Sequence, residues 1–182
     1  NYLARTAGNH AFPCRIAIVA KDDKELLTNE MIYLLAKPQQ IKDTDWIRPG
    51  KATWEWWHCA ILEKAPFPSG HQNLSTQMYK YYIDFASENK IPYLLIDAGW
   101  CNVFNHADLN KNIDIKEVIR YGKEKKVGVW LWTVAATLFQ HPHCYLDSIS
   151  KWGAVGVKID FFDRDDAQII PQYENLAKAC AE

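Results

Sequence analysis

Thr53-Trp54-Glu55-Trp56-Trp57-His58-Cys59 begins the regular part of this 182-residue chain, and the fold class turns on it. The stretch is short, strongly apolar and free of polar alternation, which is the pattern of a strand covered on both faces of a parallel sheet. Thr53–His58 is therefore taken as a strand. The residues at its end are equally informative. A dinucleotide-binding fold would place a glycine-rich phosphate loop directly after its first strand, and the bulky indoles here leave no room for a pyrophosphate.

The same apolar pattern returns at Tyr93–Asp97, Val127–Thr133 and Gly156–Phe161. Amphipathic patterns lie between these runs. Ser75-Thr76 opens one helix through Asn89, Asp114 caps a second to about Lys126, and a third runs over roughly Cys144–Trp152 to Gly153. A last helix is expected to begin near Asp163–Asp166 and run to Cys180. The strands start at 53, 93, 127 and 156, giving steps of 40, 34 and 29 residues, each long enough for a right-handed βαβ crossover. The expected class is α/β, with 48–182 forming the first four βα units of a (β/α)₈ TIM barrel rather than an open doubly wound sheet. Four strands do not close a barrel, so the stretch reads as a half-barrel, a fragment or one partner of a larger assembly, and the remainder of the barrel is required. Residues 1–47 break the rhythm. They hold one β-rich run, Arg15–Ala20, then Asp22–Glu25 and the apolar Met31–Ala36, with a linker over Asp43–Gly50 turning at Pro49-Gly50. They read as the end of a preceding β-rich domain.

Composition narrows the function. Apolar residues make up 48% of the chain, ample for a buried core. Lys and Arg number 21 against 22 Asp and Glu, so no basic field points to nucleic acid. No apolar run approaches the roughly 20 residues that span a bilayer, so no membrane insertion is expected. The start, Asn1-Tyr2-Leu3-Ala4-Arg5, shows neither an initiator Met nor a signal pattern and reads as a mature form or an internal piece. The five cysteines are dispersed without CxxC pairs, against a zinc ribbon or dithiol site. Eight Trp, nine Tyr and seven Phe raise the aromatic share to 13%, and seven of the Trp flank or occupy strands, where flat rings suit either core packing or a sugar face.

Barrel active sites lie at the C-terminal strand ends. Here those ends offer Glu55 and His58, then Asp97, then Trp130, Trp132 and Thr133, then Lys158, Asp160, Asp163, Arg164, Asp165 and Asp166. Asp160 is the sharpest candidate, a carboxylate among apolar strand residues. Lys158, two residues earlier, projects to the same side. A flanking cation keeps a carboxylate ionised, as a nucleophile requires, although a purely structural buried pair reads the same way. Asp165 and Asp166 read better as helix caps. Asp97 suits either sugar hydroxyls or an ordinary turn. Glu55 could face the barrel interior or the helices. His58, His71, His106, His141 and His143 lack HExxH-like spacing and are taken as structural or surface residues.

The stretches Pro49–Trp57, Tyr81–Ala86, Tyr93–Trp100 and Lys151–Asp166 together resemble glycoside hydrolase family 97. The resemblance implies an N-terminal β-sandwich, of which residues 1–47 are the end, a central barrel and a small C-terminal β domain. It implies retention on α-galactosides, because the retaining branch uses an Asp at the end of strand four, where Asp160 stands. Lys158 and Asp97 match positions that bind sugar hydroxyls. Trp54, Glu55, Trp100, Trp130, Trp132 and Arg164 complete the expected substrate contacts. The family's acid/base is a Glu from a later strand, beyond Glu182, so these residues alone are expected to be inactive. Its calcium ion is held by carboxylates that mostly lie outside the matching region, and no metal ligand is assigned here. The implied partner is an α-galactoside or oligosaccharide, and the implied location is periplasmic or secreted. Two alternatives stay open: an inverting α-glucosidase of the same family, and a truncated, non-catalytic carbohydrate-binding domain.

Overall fold

The structure, a computed structural model, describes residues 7–9, 16–139, 141–164, 166 and 168–182. Cys14, Asp165 and the first residue of the expected Arg15–Ala20 run lie outside the described residues. The chain divides into two compact units, 1–44 and 45–182. The first holds two short helices, α1 (Asp23–Leu27) and α2 (Met31–Leu35). The Asp22 carboxylate caps α1 by accepting from the Lys24 and Glu25 amides, at 3.0 and 3.1 Å. Residues 16–20 are not paired as a strand. A β-run becomes a strand only when its N–H and C=O groups find a partner, and none of the described residues of this unit supplies one.

The second unit carries four parallel strands: β1 (Ala52–Trp54), β2 (Tyr93–Ile96), β5 (Gly128–Val134) and β6 (Gly156–Asp160), adjacent in that order. A small antiparallel hairpin, β3 (Cys101–Asn102) and β4 (Asn105–Leu109), grows from the loop after β2. The connecting helices are α3 (Thr76–Glu88), α4 (Ile115–Glu124), α5 (Pro142–Trp152) and α6 (Ile170–Ala181). Their starts and stops follow from local chemistry. The Ser75 hydroxyl accepts from the Met78 amide and the Asp114 carboxylate from the Glu117 amide, each cap contributing about 1 kcal/mol. Gly153 ends α5 at φ 97°, a left-handed conformation that glycine adopts without strain.

Register sorts the sheet into two faces. Leu94 and Ile96 lie beside Val129 and Leu131, and Leu131 and Thr133 in turn lie beside Val157 and Ile159. This face packs against Met78, Tyr79, Ile83, Val118 and Ile119 of α3 and α4 in the core. Burying each large aliphatic chain there contributes about 1.5–3 kcal/mol. The opposite face carries a row of Trp54, Leu95, Trp130 and Gly156, and above it Trp132 and Lys158, with Asp160 beside Val134 at the end. Because the strands are parallel, all these polar ends emerge at one edge. Gly156 makes room for Trp130, whose ring atoms would stand 2.5 Å from any Cβ added at that glycine.

Three boundaries differ from the sequence reading. The first strand stops at Trp54, and Glu55–His58 turn into a 3₁₀ helix closed by Cys59 and Ala60, both at φ 56°, with the Ala60 amide donating to the Glu55 carbonyl. Apolar content alone did not reveal this turn. The hairpin at 101–109 was unforeseen because its tip, Val103-Phe104, has none of the Asn-Gly or Asp-Gly chemistry that announces one. The last helix begins at Ile170, not near Asp163, because Phe161 and Asp163 take left-handed backbone, at φ 51° and 52°.

Candidate active site

At the open edge of the sheet, Lys158 holds two carboxylates. Its ammonium lies 2.9 Å from Asp97 Oδ2 and 3.2 Å from Asp160 Oδ2. Strand spacing explains the convergence, since Lys158 and Asp160 share a face of β6 and Asp97, two residues after Leu95, continues the same face two strands away. The ammonium also sits 4.7 Å from the centre of the Trp54 ring, a cation–π contact that further confines it.

Each carboxylate has further donors. Asp97 Oδ2 accepts from the Trp54 indole at 2.7 Å and Oδ1 from the Ala98 amide at 2.8 Å. Asp160 Oδ2 accepts from the Trp132 indole at 3.1 Å and Oδ1 from the Phe161 amide at 3.0 Å. Partial burial alone would push the Asp160 carboxyl up, but the Trp132 and Phe161 N–H groups and the Lys158 cation together hold it below the ordinary carboxylate range. Conversely, the same desolvation would lower Lys158, and the two carboxylates hold it above its ordinary value. The Asp97 side chain is only 5% exposed, whereas that of Asp160 is 36% exposed.

Behind this layer stands Glu55, 1% exposed. Its Oε1 accepts from the Asp97 amide at 2.8 Å and from the Tyr79 hydroxyl at 3.2 Å, and Oε2 is buried without a partner among the described residues. Burial pushes this carboxyl up to about 7, against the lowering effect of the Asp97 amide. Glu55 thus grips the backbone that presents Asp97.

The remaining expected contacts divide by place. Trp54, Trp130 and Trp132 lie on the same sheet face as Asp160. Trp100 is fully buried and donates to the Trp132 carbonyl at 3.0 Å, fixing the end of β5 from behind. Arg164 is exposed and engaged with Asp166 and Gln168. Asp166 accepts from the Gln168 amide and lies before α6 rather than capping it. His106 stacks against Trp100 and shares a 2.7 Å hydrogen bond with Thr133, pinning the hairpin over β5. Sequence reasoning passed over two participants: Tyr79, the helix partner of Glu55, and Phe161, whose amide serves Asp160. No residue type signals either role. Among the described residues no three His, Cys, Asp or Glu side chains gather, and Lys158 fills the space between Asp97 and Asp160, so these residues do not by themselves fit a calcium site.

The family model of glycoside hydrolase 97 matches residues 56–182, more than two thirds of the chain and all of β2 to α6. This chain belongs to glycoside hydrolase family 97. It is 37% identical over its whole length to a retaining alpha-galactosidase of Bacteroides thetaiotaomicron, covering 27% of that protein. A probable retaining alpha-galactosidase of Streptomyces bingchenggensis is 33% identical over 81% of the chain and 23% of its own length. The chain therefore spans about a quarter of the length of these curated relatives. Among solved structures, a family 97 enzyme of Pseudoalteromonas sp. strain K8 in complex with panose superposes with a TM-score of 0.70 over 86% of the chain and 28% of that protein, at 20% identity. The alpha-galactosidase I of Mortierella vinacea gives 0.56 over 72% and 37%, at 13% identity. At such identities the likeness carries the fold: four βα units of a TIM-like barrel, as the strand spacing implied. The Asp160 cluster stands at the C-terminal ends of the parallel strands, the end at which (β/α)₈ barrels carry their active sites.

Proposed function

We propose that the enzyme containing this chain hydrolyses terminal α-linked galactosides with retention of configuration, Asp160 attacking the anomeric carbon to form a covalent glycosyl-enzyme. The observation that carries this reading is the state of Asp160, a carboxylate kept ionised at a strand end and left accessible. The 37% identity to a retaining alpha-galactosidase supports the substrate.

The roles of the neighbours follow from their contacts. Asp160 Oδ2 is committed to Trp132 and Lys158, while Oδ1 accepts one amide and keeps the freer lone pair for attack. Lys158 and Asp97 orient sugar hydroxyls. Retention needs a second carboxyl about 5–5.5 Å from the nucleophile that first gives a proton to the leaving oxygen and then takes one from water. Asp97 is unsuited, because its side chain is only 5% exposed and its Oδ2 is already committed to the Lys158 ammonium and the Trp54 indole. We therefore assign the acid/base to the rest of the barrel. Calcium, and a periplasmic or secreted location, are proposals for the whole enzyme that rest on family resemblance.

The test is Asp160→Asn in the whole enzyme, with proton NMR of the first sugar anomer released by the wild type. Turnover is expected to fall by about 10³-fold or more while sugar binding survives, and the first product is expected to be the α-anomer. Unchanged turnover, or a β-anomer, would sink the proposal.

A further inference from the structure

Two consecutive residues, Trp54 and Glu55, hold Asp97 by different groups. The register carries β1 only as far as Trp54, opposite Leu95, and there the chain turns. Cys59 and Ala60 close that turn at φ 56°, in the left-handed region that residues with side chains avoid and that persists only where the surroundings enforce it. The Ala60 amide donates to the Glu55 carbonyl at 2.8 Å, and the Glu55 side chain reaches the end of β2. There its Oε1 accepts from the Asp97 amide at 2.8 Å, past the last pair of the β1 ladder, while the Trp54 indole donates to Asp97 Oδ2 at 2.7 Å. Backbone and side chain of Asp97 are thus fixed by one short segment. The fold gains little from a carboxyl in this place. Glu55 is 1% exposed, Tyr79 beside it is fully buried, and Oε2 has no partner among the described residues. A buried oxygen without a partner is destabilising, so packing alone does not account for the residue type.

We infer that Glu55 is a positioning residue rather than a substrate contact: through the Asp97 amide it sets the place of the Asp97 carboxylate, and so the enzyme's hold on the sugar hydroxyl that Asp97 binds. This rests on the reading of Asp97 as a hydroxyl contact in an α-galactosidase and deepens it. The lever is short. Asp97 Oδ2 serves the Trp54 indole at 2.7 Å and the Lys158 ammonium at 2.9 Å, so a small displacement of its backbone disturbs both bonds and the bond to substrate. Lys158 keeps Asp160 as a second anchor, at 3.2 Å. The loss therefore falls on one hydroxyl, whereas a general loosening of the fold would fall on every contact with the sugar.

The experiment measures kcat/KM of the whole enzyme and of its Glu55→Gln, Glu55→Asp, Glu55→Leu and Asp97→Ala variants on nitrophenyl α-galactoside and its 2-, 3-, 4- and 6-deoxy analogues, with Tm for each protein. Asp97→Ala identifies the hydroxyl, as the one whose removal costs the wild type but not this variant. Leu removes the acceptor, and Asp keeps a carboxyl one methylene short of the amide; each is expected to lower kcat/KM for the α-galactoside about tenfold. On the analogue lacking the identified hydroxyl, both are expected to match the wild type within about twofold. Gln restores the acceptor and is expected to stay within about twofold of the wild type on every substrate. An equal loss on every analogue overturns the inference, as does wild-type kcat/KM in both the Asp and Leu variants. Should Leu fail to fold, Asp carries the same comparison. Failure of the underlying reading shows apart from the Glu55 variants, as a wild type without α-galactoside turnover or an Asp97→Ala variant that singles out no hydroxyl, and it overturns this inference with it.

Discussion

Lys158 does at the scale of one residue what the site needs most: a single ammonium balances two carboxylates and keeps Asp160 charged. Asp160 titrates below the ordinary range, so its ionised form, with the stability and reactivity that depend on it, is present above that range and is lost only as pH falls through the lowered value. Lys158→Met keeps the stem and removes the charge. It is expected to move the acid limb of kcat/KM upward by about one pH unit, measured as a pH–rate profile of the whole enzyme. Glu55 behaves oppositely. With its folded value raised from 4.5 to about 7, the folded state holds a proton that the unfolded state has released, so stability falls as pH rises from 4.5 to 7. Glu55→Gln keeps the acceptor for Asp97 and Tyr79 and cannot ionise, so it is expected to flatten that slope and raise stability at pH 8 by up to about 3 kcal/mol. Thermal melts of both proteins at pH 5 and pH 8 read the difference. Strand parity alone singled out Asp160 and Lys158, because two polar groups two apart in an apolar run share a face. It could not place Glu55, which lies just past the strand, nor Phe161, since nothing in Phe161-Phe162 announces a left-handed backbone.

Among the elements, the strands were legible where apolar runs were long and helices where caps were explicit, as at Ser75 and Asp114. Short excursions were not. The 3₁₀ turn at Glu55–His58 and the hairpin at 101–109 are fixed by contacts distant in sequence, such as Glu55 with Asp97 and His106 with Thr133. Packing between β5 and β6 depends on one small residue. Gly156→Ala would push a methyl into the Trp130 ring, and the expected loss is about 1–3 kcal/mol, read as a lowered Tm in the whole enzyme. An unchanged Tm would show that Trp130 yields freely.

For the whole molecule, four parallel strands place Trp54, Asp97, Trp132, Lys158 and Asp160 along one edge, and β1 and β6 end the row. A closed barrel requires eight strands, so the proposed nucleophile and its orienting groups lie here and the proposed proton donor elsewhere. The alternation of strands and helices made this architecture legible, whereas the complement to Asp160 was not, because Glu55 and Asp97, the carboxylates just past β1 and β2, are both buried. The decisive test is to treat the whole enzyme with a 2-deoxy-2-fluoro-α-galactosyl fluoride, which slows release of the glycosyl-enzyme, and to map the label by peptide mass. One fluorogalactosyl group esterified to Asp160 is the expected result. Time-dependent inactivation with the label on another residue would be incompatible with Asp160 as the nucleophile.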